Sequence, residues 1–167
     1  IGGFAVTSGP GSFTGLRVGL SAVKGLAEVL QKPIVTVSLL EALATLSAED
    51  GRVIAALDAG RSEVFFGLYE VSNGKAERVS EQLLSASEFV EQARKPGVGP
   101  VLTSDAAVAE TLSAVAAKVN LVQRPDSGVI ARIGSAKLLA GDVTSVESLD
   151  ANYLRRSDAE IFFKGNR

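Results

Sequence analysis

The 167-residue sequence contains no histidine, cysteine, methionine or tryptophan, and its aromatics amount to two tyrosines and seven phenylalanines. The missing histidine excludes the most. A Ser-His-Asp triad, a Cys-His pair, His-ligated zinc and the commonest general base all need an imidazole. Without cysteine there is no disulfide framework and no thiolate chemistry. Any catalysis would have to run on carboxylates, lysine or serine. Long apolar runs are absent too, so no stretch reaches the roughly 20 residues of a membrane-spanning helix. Nor is positive charge in excess: the net charge is −2, too little to hold a nucleic acid by phosphate neutralisation. RNA contact would therefore have to come through another subunit. The chain opens at Ile1 in mid-pattern and without methionine, which reads as a fragment of a longer product.

What is present is a core-forming composition. Hydrophobic residues make up 46% and charged residues 22%, the balance of a soluble, globular chain of one domain or two small lobes. One stretch stands out. Ser8-Gly9-Pro10-Gly11-Ser12 opens a proline-free segment over 14–30 with helical spacing, capped by Ser12 or Thr14. On a wheel Arg17, Ser21, Lys24 and Glu28 share one narrow stripe, at i, i+4, i+7 and i+11. Every other position reads as apolar or glycine, an arc of roughly 220° at 3.6 residues per turn. A surface helix resting on its own core needs an apolar stripe of only about 100°, so this one expects cover from two sides. Leu16, Leu20, Val23 and Leu30 form the bulky part, suited to a sheet. Gly15, Gly19 and Ala22, with Leu26 at the far end, form a smooth strip that admits a close helix, from this chain or from a partner.

Along the chain, 3–7 reads as a short buried strand and 34–37 as a second, parallel to it through the crossover helix. Ser38 caps a helix over 39–47. A break at Glu49-Asp50-Gly51 divides residues 1–50 from 51–167. Strands over 52–58, 63–72 and 75–84 form an antiparallel meander, the last two joined by an Asn73-Gly74 turn. Ser85-Ala86-Ser87-Glu88 is a capping box for a helix through residue 94. A strand over 101–103, a helix over 105–118, a strand over 120–122 and a helix over 126–141 follow. The remainder reads as extended or irregular.

Several motifs invite chemistry. Gly9, Gly11 and Ser12 at a helix start could take an anion, yet the third glycine falls one residue late for a dinucleotide fingerprint, and Leu16 replaces the lysine of a P-loop. Ser21-Ala22-Val23-Lys24 matches S-x-x-K, but the serine lies two turns inside its helix and no partner motif is present. Asp58 and Glu63 flank a turn in which Arg61 sits between them. Arg155 and Arg156, with Lys164 and Arg167, make a small basic cluster diluted by Asp158 and Glu160.

The run Thr7-Ser8-Gly9-Pro10-Gly11-Ser12-Phe13-Thr14-Gly15-Leu16-Arg17-Val18-Gly19 resembles the signature of the TsaB (YeaZ) family. The resemblance continues through Lys24-Gly25-Leu26-Ala27, Lys32-Pro33-Ile34 and Val37-Ser38, and returns at Asp58-Ala59-Gly60-Arg61 and Tyr153-Leu154-Arg155. It implies an α/β fold of actin-like, sugar-kinase and Hsp70-type (ribonuclease-H-like) lobes. Residues 1–50 would be the remainder of the N-terminal lobe, incomplete at its N-terminus, and 51–167 the C-terminal lobe. It implies a cytoplasmic, non-catalytic subunit that partners the catalytic TsaD and the ATPase TsaE in threonylcarbamoyl transfer to a tRNA adenosine. On this reading the helix over 14–30 is the dimerisation element, with Gly15, Val18, Gly19, Ala22, Leu26 and Val29 facing TsaD or a second copy. TsaD carries a His-x-x-x-His metal pair after the next strand, where Leu39 and Leu43 stand here. Leucine ligates no metal, so neither metal nor cofactor is expected. The alternatives are an actin-like nucleotide hydrolase or kinase using the Gly9 to Gly11 turn, and a peptidase, for which the chain offers no placed nucleophile.

Overall fold

The computed structural model describes residues 1–113 and 118–154. Two sheets form its frame. Strands β1 (Phe4–Gly9) and β2 (Ile34–Ser38) pair in parallel and are joined by helix α1 (Phe13–Leu30). Alternation along both strands creates two apolar faces. Phe4, Val6 and Ile34 meet Leu20 and Ala27 of α1. Ala5 and Val37 meet Ile130 and Ile133 of α5 (Ser127–Leu139). The small sheet thus lies between two helices, one drawn from each end of the chain.

The larger sheet has five strands in the order β5-β4-β3-β6-β7. β3 (Gly51–Gly60), β4 (Glu63–Ser72) and β5 (Lys75–Ser85) form the expected antiparallel meander. Asn73 and Gly74 both take positive φ, 52° and 71°, as a tight hairpin demands. Arg61 and Ser62 do the same at the preceding turn, at 57° and 60°. β6 (Val101–Thr103) and β7 (Val119–Leu121) add in parallel.

Helix α2 (Leu39–Ala44) lies on one face of this sheet, with Leu40 and Leu43 packed among Val53, Ala55 and Tyr69. On the opposite face α3 (Ala86–Ala93) and α4 (Ala106–Thr111) bring Phe89 and Val108 against Ile54 and Phe66. The capping box of α3 is complete: Ser85 N donates to Glu88 Oε2 at 2.8 Å, and Glu88 N donates to Ser85 Oγ at 3.3 Å.

Two helices stop earlier than their pattern suggests, and a hydroxyl stands at the end of each. Thr45 Oγ1 donates to the Ala42 carbonyl at 2.7 Å. Ser113 Oγ donates to that of Glu110 at 2.7 Å. These hydroxyls compete for the carbonyls a longer helix would use. α2 ends at Ala44, before 47, and α4 at Thr111; residues 114–117 lie outside the described part. So do Arg155, Arg156, Lys164 and Arg167, and with them the basic cluster.

Candidate partner interface

α1 has two apolar faces, and among the described residues only one of them is covered. Ser12 caps the helix, its Oγ accepting from Gly15 N at 3.3 Å. Gln31 ends it in the left-handed region. At 100° per residue, fourteen of the eighteen residues sort into three stripes. Leu16, Leu20, Val23 and Ala27 turn towards the small sheet, with Leu20 and Ala27 buried. Arg17, Ser21 and Glu28 stand in solvent on the second, with Lys24 half-buried beside them.

The third stripe is Gly15, Val18, Gly19, Ala22, Leu26 and Val29. Nothing among the described residues covers it. Val18 is 65% exposed, Leu26 51% and Val29 82%. A Cβ at Gly19 would meet no atom within 4 Å, and one at Gly15 would touch only the helix's own Ser12. Leu30, expected on the sheet side, is instead 45% exposed. It falls between the stripes at the fraying end of the helix, and Ala27 fills the core position in its place.

The turn before the helix is shaped by this chain's own backbone. Gly9 has φ 127°, and a side chain there would meet the Asn152 carbonyl oxygen at 3.0 Å and Leu16 Cδ1 at 3.3 Å. Gly11 faces open space. Ser12, the other anion candidate, spends its side-chain oxygen on the helix cap.

Leu39 and Leu43 lie together in the core on α2, as their i, i+4 spacing requires. Asp58 Oδ1 accepts from Gly60 N at 2.8 Å, while Asp58 N donates to Asp105 Oδ2 at 2.8 Å. That carboxylate shapes the bulged end of β3. Ser21 and Lys24 sit in the middle of α1, with Ser21 exposed.

A polar junction escaped the sequence reading. The Glu81 side chain on β5 is 3% exposed. Its Oε1 accepts from the hydroxyls of Ser38, at the end of β2, and Tyr69, on β4. Its Oε2 accepts from Asn152 Nδ2 at 2.8 Å and lies 3.7 Å from Arg78. Three donors offset the desolvation of one carboxylate, so the group joins the two sheets. Burial, and then the Glu81 charge, push the Tyr69 phenol far above its ordinary range. One signal was available: Glu81 shares a strand face with Leu83, whose cross-strand partner Phe65 packs on the α2 side of the sheet. A second link runs from Lys137 Nζ of α5 to Glu41 Oε2 of α2, 2.8 Å away.

A family model described as "TsaD: tRNA N6-adenosine threonylcarbamoyltransferase" matches residues 1–123. The tRNA threonylcarbamoyladenosine biosynthesis protein TsaB of Bacillus subtilis is 39% identical over 92 residues, 54% of this chain and 40% of that protein. Its counterpart in Haemophilus influenzae is 32% identical over 114 residues, 61% of this chain and 48% of that one. The chain therefore spans less than half the length of either. A crystal structure of a Pseudomonas aeruginosa protein, described as similar to peptidase YEAZ, superimposes with a TM-score of 0.76 at 26% identity. That match covers 93% of this chain and 74% of the other.

Proposed function

The chain belongs to the TsaD family, in its TsaB/YeaZ group, with the actin-like fold of that family, and from that membership we propose a role as a scaffold subunit in threonylcarbamoyladenosine synthesis on tRNA. It pairs through α1 with a TsaD-type catalytic subunit and carries no catalytic group of its own. A TsaE-type ATPase completes the complex, and tRNA is met only through it. A second copy of this chain is the alternative occupant of the same helix face.

The observation that carries this reading is the uncovered stripe of α1. Three large apolar side chains stand in solvent beside two glycines and an alanine, on a helix whose opposite stripe is already satisfied. Close approach of a second helix would remove that surface from water. Leu39 and Leu43 support the non-catalytic part, since they fill core space where the resemblance puts the TsaD histidines. The low net charge supports indirect contact with RNA.

The test is the pair Val18→Glu and Val29→Glu in the full chain. Both side chains are exposed, so folding should survive. Association with the TsaD-type subunit should fall by about 100-fold, and tRNA modification in the reconstituted complex should fall with it. Undiminished association would remove α1 from the interface.

A further inference from the structure

Residues 149–154 form no regular element, yet they touch both sheets and the first half of α1. Leu149 is buried among Leu20, Ala27 and Ile34, beneath the helix. Asn152 N donates to the Ser8 carbonyl at 2.7 Å, at the end of β1. The Asn152 side chain reaches the other way, donating to the buried Glu81 carboxylate of β5. Tyr153 then lies against the outside of α1. Its hydroxyl accepts from Arg17 Nε at 3.2 Å, and its ring sits 4.9 Å from that of Phe13. The Arg17 guanidinium covers the other ring, 3.9 Å from the Phe13 centroid.

α1 needs such help. No acidic residue stands in its first turn and no basic residue in its last, so no charge in either terminal turn complements the helix dipole. Its inner stripe is narrow, and the sheet beneath it has only two described strands. Phe13 and Arg17 sit at i and i+4 on the first two turns, where Tyr153 engages both.

We propose that residues 149–154 are a positioning strap, in which Asn152 anchors to the Glu81 junction and Tyr153 clasps the first two turns of α1. The strap sets the orientation in which α1 presents its outer stripe. Its link to partner binding rests on the scaffold reading above; the clasp itself does not. A pre-ordered helix binds more tightly because less freedom is lost on association.

The test compares Tyr153→Ala, Tyr153→Phe and Asn152→Ala in the full chain by amide hydrogen exchange and by titration with the catalytic subunit. Tyr153→Ala should raise exchange at residues 16–20 by about tenfold, leaving β3 and β4 unchanged. The same variant should weaken association by about tenfold. Tyr153→Phe keeps the ring on Phe13 and should restore most of both effects, while Asn152→Ala should resemble Tyr153→Ala. Unchanged α1 exchange in both alanine variants overturns the strap. So does faster exchange spread equally through β3 and β4, which would mark general loosening. Faster α1 exchange with unaltered affinity also overturns the positioning role, provided Val18→Glu and Val29→Glu abolish association. Where those two variants leave association intact, faster α1 exchange upholds the clasp and the scaffold reading alone fails.

Discussion

α1 and α5 lie on opposite faces of the same small sheet, and each carries glycine within its length. In α5 one of the two glycines, Gly134, is used by the chain itself. A Cβ at Gly134 would stand 2.3 Å from Ala5 Cβ and 3.1 Å from Val35 Cγ2, so α5 approaches the sheet at contact distance through that residue. In α1 the glycines turn away from the sheet, and a Cβ at Gly19 would meet no atom of the described residues within 4 Å. Glycine costs a helix about 1 kcal/mol relative to alanine. At Gly134 close packing offsets that cost. At Gly19 nothing among the described residues does.

Four substitutions press on this contrast, the largest effect first. Gly134→Leu should destabilise by about 3 kcal/mol or more, because the side chain meets a strand that cannot move aside. Denaturant midpoints measure it. A cost below about 1 kcal/mol would mean that α5 can lift off the sheet. Glu81→Ala comes next. It strands the buried Tyr69 hydroxyl and the Ser38 hydroxyl, at about 1–3 kcal/mol for each group left unpaired. The same unfolding series reads the loss, and a near-neutral result would show the junction to be replaceable.

Tyr69 gives a smaller effect, confined to alkaline solution. The unfolded phenol titrates near 10.0, and the folded one holds its proton well beyond that. Above pH 10 unfolding therefore releases a proton, and stability falls as pH rises, by about 1.4 kcal/mol per pH unit. Subtracting the profile of Tyr69→Phe from that of the parent isolates this slope. A flat difference would place Tyr69 in an ordinary environment.

Local signals carried most of the fold. The Ser12 cap, the Ser85–Glu88 capping box, the Asn73-Gly74 turn and the strand periods are all decided within a few residues, and the structure repeats them. The outer stripe of α1 was legible for the same reason, since a wheel is a local construction. What escaped depends on groups far apart in sequence. Glu81 and Asn152 are 71 residues apart, and neither residue type signals the other. Gly134 reads as one more weak helix position until Ala5 lies beneath it.

The smallest effect on stability belongs to Gly19→Leu, and it is the most informative one. A Cβ there meets no atom of the described residues within 4 Å, and leucine improves helix propensity, so the melting temperature should hold or rise slightly. A titration of this variant against the catalytic subunit, beside its melting curve, tests the central claim directly. Affinity lost by tenfold or more with stability intact is the predicted result, since overpacking a close helix pair costs about 1–3 kcal/mol. Parental affinity at parental stability would contradict it, and α1 would then be a helix that no partner covers.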